Sequence, residues 1–273
     1  MTSRANADIK KVSVADASLA YAIHGAARGP WLVMSSSLGA DHRMWQRQLP
    51  ALVEAYRVLV YDHRGHGQST AGNRDTVWTM DLLVADVVEL MDTLDIGTAA
   101  FVGLSLGGAL GLGLALAHPE RLSRLVCCSA RADAPAAYRD LWRDRARSVS
   151  RDGIASVVQP TLERWFTDDA HRSRPEVVAE ATAMLTATSP EGYIGAATAL
   201  TTLDYFDRLG GIDVPTLFLA GARDAAISPD VMRGMSEQTP GSRFASIADA
   251  AHLTNMERPA AFNEELATWL KRG

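Results

Sequence analysis

The chain has 273 residues, 47% of them hydrophobic and 22% charged, which excludes disordered, collagen-like and coiled-coil architectures and suffices to bury a large core. With 27 basic against 32 acidic residues the formal charge is -5, so no basic field exists to hold a phosphate backbone, and nucleic acid is disfavoured as a partner. A prior of roughly 150 residues per domain gives about two units, and one domain carrying an insertion is the expected organisation. The two cysteines, Cys127 and Cys128, are neighbours that cannot close an ordinary disulfide, so both are read as free thiols. Met1 to Lys11 carries Arg4, Asp8, Lys10 and Lys11 but no apolar h-region, which points to a cytoplasmic protein without a targeting signal.

In chain order, strands are predicted near 11–15 and 18–24, then over Trp31–Ser35, followed by a helix over Met44–Val53 and a strand over Tyr56–Tyr61. Asp62–Gly67 reads as a turn. Thr79–Leu94 sets Leu82, Leu83, Val87, Leu90 and Met91 at helical spacing, with Asp81, Asp86 and Glu89 on other faces, an amphipathic helix. Ala99–Val102 is a strand, Leu106–Ala117 a helix ended by His118-Pro119, and Leu122–Cys128 a strand. The uncharged run from Ile96 to Ala117 is long enough to cross a bilayer, but Gly103, Gly107, Gly108, Gly111 and Ser105 divide it into strand, turn and helix, so no membrane span is expected. From Arg131 to Leu209 the chain turns helical and Arg-rich, without a convincing strand. Strands resume at Val214–Ala220 and Arg243–Ile247, and a helix over about 260–271 ends the chain. Strand and helix alternation of this kind makes a mostly parallel sheet flanked by helices. Residues 1–130 and 211–273 are therefore expected to form an α/β core domain, interrupted by a helical cap at 131–210.

The strongest chemical signal is Gly103-Leu104-Ser105-Leu106-Gly107, a G-x-S-x-G that follows a predicted strand and opens a predicted helix. A sharp turn there strains the serine backbone and exposes Ser105 at the carboxyl edge of the sheet, with glycines keeping side chains out of the crowded bend. The Leu106 amide at the helix start can stabilise a developing oxyanion. A serine hydroxyl needs a base, and downstream stand Asp224, the acid that ends the strand segment Leu217 to Asp224, and His252 after the last strand. Serine, aspartate, histidine is the chain order expected behind such an elbow, with His252 as general base then acid and Asp224 orienting it. Position favours His252 over the six other histidines; of the rival acids, Asp213 precedes its strand and Asp249 is too close to His252 in the loop.

These residues carry a resemblance that covers nearly the entire chain. Tyr61-Asp62-His63-Arg64-Gly65-His66-Gly67-Gln68-Ser69, Gly103 to Gly108 and Ala251-His252-Leu253-Thr254-Asn255-Met256-Glu257 resemble the α/β-hydrolase-fold enzymes. Ser36-Ser37-Leu38-Gly39-Ala40-Asp41-His42-Arg43-Met44-Trp45 is similar to the corresponding loop of the 3-oxoadipate enol-lactonases of aromatic catabolism. The resemblance implies an eight-stranded sheet with a helical cap, a second oxyanion N–H from Leu38, and an ester or lactone as small-molecule substrate, with 3-oxoadipate enol-lactone leading. The chain departs from that family at Ser36-Ser37, where Asn-Ser is usual, and at Ser129-Ala130-Arg131-Ala132-Asp133, where the cap begins.

Other features weigh less. His63 and His66 in one turn lack the further ligands of a zinc site, and Gly107-Gly108-Ala109-Leu110-Gly111 lacks dinucleotide spacing, so neither metal nor cofactor is expected. Trp142, Trp165 and Phe166 are candidate pocket residues, Arg131 is the candidate partner for a substrate carboxylate, and Arg139, Arg143, Arg145 and Arg147 read as a solvated face. A general carboxylesterase, another lactonase, a carbon–carbon bond hydrolase and a non-catalytic small-molecule receptor share the same framework; a homo-oligomer is left open.

Overall fold

The protein is described by a computed structural model covering residues 8–25 and 27–271; the segment read for a targeting signal lies, up to residue 7, outside them. Eight strands form one sheet: β1 (Lys10–Val14), β2 (Ala17–Gly25), β3 (Trp31–Ser35), β4 (Arg57–Tyr61), β5 (Ala99–Leu104), β6 (Leu122–Cys128), β7 (Thr216–Gly221) and β8 (Arg243–Ile247). They lie in the order β1-β2-β4-β3-β5-β6-β7-β8. The β1–β2 and β2–β4 pairs are antiparallel and the others parallel. Helices on both faces explain why β5 and β7 are apolar runs buried at every position rather than alternating.

Parallel neighbours need crossovers, and helices supply them. The first helix, α1 (Leu49–Leu52), is shorter than the expected helix over 44–53, because Pro50 has no N–H to continue a turn begun upstream. A 3-10 turn over His42–Trp45 takes the first half of that segment. Next come α2 (Met80–Thr93), capped by the Thr79 hydroxyl accepting from the Leu82 amide, and α3 (Leu106–Ala117). The apolar run from Ile96 thus divides at Ser105, and among the described residues no helix is long and apolar enough to cross a membrane. Cys127 and Cys128 are free and buried, and burial pushes both thiols up.

Between β6 and β7 stand five helices: α4 (Ala136–Asp152), α5 (Ala155–Trp165), α6 (Asp168–Ser173), α7 (Pro175–Ala187) and α8 (Pro190–Leu200). Their two ends are pinned together by an antiparallel bridge between Asp133 and Asp204 and by the Tyr205 amide donating to the Ala132 carbonyl at 2.7 Å. The crossover from β7 to β8 is α9 (Pro229–Gln238), which the sequence reading did not anticipate; Met232 and Met235 fill its buried face. The short α10 (Thr254–Glu257) and α11 (Pro259–Leu270) close the chain.

The turn after β4 is the joint between sheet and insert. The Ser189 amide and hydroxyl, at the start of α8, donate to the Gly65 carbonyl at 3.1 and 2.9 Å. The neighbouring Arg64 is wholly buried. Its Nε and Nη2 donate to Asp86 of α2 at 2.8 and 2.6 Å, and its Nη1 to Asp16 of the β1–β2 turn at 2.5 Å. Arg64→Leu would leave the Asp86 carboxylate buried without a cation, and a stability loss of about 3–5 kcal/mol is expected in urea unfolding. A loss below about 1 kcal/mol would show that the fork carries no such weight.

Candidate active site

The turn from β5 into α3 holds Ser105 at φ 58° and ψ -113°, a left-handed backbone that L residues seldom adopt. The flanking glycines are required by contact. A Cβ on Gly103 would fall 2.0 Å from the Gly107 carbonyl oxygen, and one on Gly107 would fall 2.2 Å from that of Ser35. The Ser105 amide donates to the Cys128 carbonyl at 2.8 Å, tying the bend to β6. As the first residue of α3, Leu106 has an amide with no intrahelical acceptor.

Ser35 pairs with Gly103 in the sheet register, so the loop after β3 lies beside the bend. The Ser36 carbonyl accepts from the Gly107 amide at 3.1 Å and from His63 Nε2 at 2.8 Å. The loop then turns at Gly39, φ 81°, and presents Leu38 to the same cavity that Ser105 lines. His252, 4% exposed, lies on that cavity too. Its Nδ1 meets Asp224 Oδ2 at 2.9 Å, whereas Asp213 and Asp249 are exposed. The other Asp224 oxygen accepts from the Ala226 and Ile227 amides at 2.8 and 2.9 Å, so the carboxylate is held from both sides.

The insert roofs the site and is bonded to the histidine loop. The Leu253 amide donates to the Trp165 carbonyl at 3.1 Å, and buried Glu257 accepts from the Ala251 amide at 2.8 Å, from the Thr167 amide at 3.2 Å and from the Thr167 hydroxyl at 2.5 Å. Sheet and roof enclose about 470 Å³ of empty volume, part of it continuous with solvent. Tyr138, Leu141, Trp142 and Arg145 of α4 face it, a spacing that marks one side of a helix. Thr161, Arg164 and Trp165 do the same from α5, and Tyr193 from α8.

Of the residues singled out from sequence, Ser105, His252, Leu38, Trp142 and Trp165 are brought to one cavity, with Asp224 behind His252. Arg131 and Phe166 are not among the residues lining it: Arg131 Nη2 donates to Asp133 at 2.8 Å, with the guanidinium 5.3 Å from the Tyr138 ring centroid, and Phe166 is buried with its ring edge-on to His171. Arg145, assigned to a solvated face, instead faces the cavity, because it stands at i+7 from Tyr138 on the inward side of α4, while Arg143 and Arg147 pair with Asp140 and Asp144 on the exposed side. Arg164 was missed altogether. The i, i+3, i+4 and i+7 positions of α4 and the i, i+3 and i+4 positions of α5 were the available signal, an aromatic and arginine stripe on otherwise polar helices.

Residues 30–259 match the family model described as alpha/beta hydrolase fold. The chain belongs to the alpha/beta hydrolase fold family. It is 34% identical over 257 residues to 3-oxoadipate enol-lactonase 2 of Acinetobacter baylyi, covering 94% of each chain. The enol-lactonase structure from Burkholderia xenovorans LB400 superimposes with a TM-score of 0.92 at 35% identity, covering 96% of this chain and all of that one (100%). A protein carrying the carbamate-hydrolase name RutD in Azorhizobium caulinodans is 31% identical, over 92% of this chain and 94% of its own. This kinship makes the hydrolase an enzyme of the ester- and lactone-cleaving kind.

Burial fixes the protonation of the imidazoles beneath the site. Burial and the neighbouring His66 push His63 down to about 3, and burial likewise pushes His66 down. Burial opposes charge on His42 as well, but its bond to Asp62 at 2.7 Å leaves it raised. Below the ordinary imidazole value of 6.5 the unfolded chain takes up protons that folded His63 and His66 refuse. Their contribution is therefore intact above that value and is lost as pH falls, at up to about 1.4 kcal/mol per pH unit for His63, with His66 adding to the loss and His42 opposing it. Urea midpoints should drop between pH 7 and pH 5, and His63→Asn should flatten that slope; an unchanged slope in the variant would contradict the assignment.

Proposed function

We propose that the enzyme hydrolyses an ester or lactone through Ser105, His252 and Asp224, with 3-oxoadipate enol-lactone of aromatic catabolism as substrate. The observation that carries the reading is a strained, helix-capping Ser105 on the same cavity as a histidine whose far nitrogen is fixed by a buried carboxylate. His252 takes the hydroxyl proton as Ser105 attacks the ring carbonyl, and the negative oxygen lies between the amides of Leu38 and Leu106. Asp224 stabilises the imidazolium. Ring opening breaks the acyl C–O bond and releases an enolate oxygen, which takes the proton back from His252 and ketonises, so the step is hard to reverse. Water, deprotonated by His252, then cleaves the acyl-enzyme and restores Ser105.

Residues 131–210 act in this reading as a cap over a core of 1–130 and 211–273, and the protein works in the cytoplasm. The substrate is taken from the enol-lactonase relatives; the carbamate-hydrolase name borne by other relatives makes carbamates the comparison to run.

Initial rates on freshly generated 3-oxoadipate enol-lactone, a neutral 4-nitrophenyl ester and a carbamate decide between these substrates. The lactone should be preferred, and Ser105→Ala should lower kcat by about 10⁴-fold or more. Ser105-dependent turnover of the neutral ester alone would keep the mechanism and remove the lactone, while turnover that survives Ser105→Ala would remove the mechanism.

A further inference from the structure

Building on the Ser105 reading, we propose that Arg164 and Arg145 form a carboxylate subsite under the cap, so that the enzyme selects substrates whose chain carries a negative charge remote from the reacting carbonyl. Most arginines of the insert carry their own acid: Arg143 has Asp140, Arg147 has Asp144, Arg151 has Asp152, and Arg174 has Glu176. The two that face the cavity do not. Among the described residues Arg145 bonds only neutral oxygens, donating to the Thr161 hydroxyl at 2.8 Å, the Pro160 carbonyl at 3.3 Å and the Tyr193 hydroxyl at 3.4 Å. Among the described residues Arg164 has no hydrogen-bond acceptor and no ion pair.

Two guanidinium groups thus face one half-enclosed space with no carboxylate to neutralise them. Burial and the charge of Arg145 both lower the pKa of Arg164, the sign expected of crowded cations. Asp224 is the acid whose charge reaches Arg164, but one of its oxygens is engaged by His252 and the other by two amides. Such an arrangement is costly in the free enzyme and is relieved by a bound anion. The neutral bonds that fix Arg145 pre-organise its planar fork for a carboxylate, while Leu38, Leu141, Trp142 and Ile227 offer apolar wall to a carbon chain. The ligand this describes has two ends, an electrophilic carbonyl at Ser105 and a carboxylate at the arginines, and its hydrolysis product is a dicarboxylate.

Two probes that differ by one charge test the subsite: 4-nitrophenyl hydrogen adipate and 4-nitrophenyl methyl adipate. The wild type should favour the charged ester in kcat/KM by about tenfold or more, through KM, and Arg164→Gln should bring the two esters level by loss on the charged one. Arg164→Lys, which keeps the charge without the fork, should recover part of the preference. Arg164 makes no internal bond among the described residues, so these variants are expected to melt with the wild type. Titration of adipate against tryptophan fluorescence gives a readout that needs no turnover: binding should weaken about tenfold or more in Arg164→Gln and survive in Ser105→Ala. Equal loss on both esters, or adipate binding unchanged by Arg164→Gln, would overturn the subsite. Hydrolysis that persists in Ser105→Ala would instead overturn the nucleophile, while the adipate titration still decides the subsite.

Discussion

Holding a serine at φ 58° costs on the order of 1–3 kcal/mol, and such a conformation persists only where its surroundings over-determine it. Here they do so on three sides. The bend is tied to β6 through the Ser105 amide, packed against Ser35 so closely that Gly107 admits no side chain, and held to the Ser36 carbonyl by the Gly107 amide. Moving any of these elements would move the serine. The same contacts set the loop carrying Leu38 beside the first turn of α3, so what holds the strained serine also holds that loop against the helix start.

Sheet topology explains why these parts converge. Strand order reverses at β3, whose neighbours are β4 on one side and β5 on the other, and open α/β sheets bind ligands at the carboxyl ends of strands where this happens. The loop after β3 and the bend after β5 are brought side by side there. Asp224 and His252 reach the same edge from the ends of β7 and β8, where Gly221 presses on the histidine loop: a Cβ at that glycine would lie 2.1 Å from the Ala251 carbonyl oxygen. The roof is coupled to this edge through Glu257 and Thr167 and through the Trp165 carbonyl. A shift of α5 would therefore be felt at the backbone around His252.

Much of this was legible in the sequence because it rests on local rules. Gly103 to Gly107 announces its own bend and the start of α3, and β3 and β6 fall at the predicted residues as apolar runs bounded by turn signals; β8 does so too, although as the last strand of the sheet it buries only Ile247. The misreadings come from two sources. Pro50 and the Ser228-Pro229 start of α9 are local signals that were passed over. The arginines are different in kind. Arg131 stands at the junction of sheet and insert, where a carboxylate-binding residue was expected, yet Asp133 two residues on engages it. Arg145 and Arg164 meet only because α4 and α5 pack together, and a charged helix does not reveal from composition which arginines find an acid and which face a cavity.

The claim on which the account stands is that Ser105 is the nucleophile, and covalent labelling tests it without assuming a substrate. The folded enzyme is titrated with a fluorophosphonate, and the modified residue is located by peptide mass spectrometry while residual esterase activity is followed. The account predicts one phosphonyl group per chain, on Ser105, with activity falling in proportion to its incorporation and no labelling in Ser105→Ala. Inactivation with the label on another residue, or full labelling of Ser105 with activity retained, would contradict it.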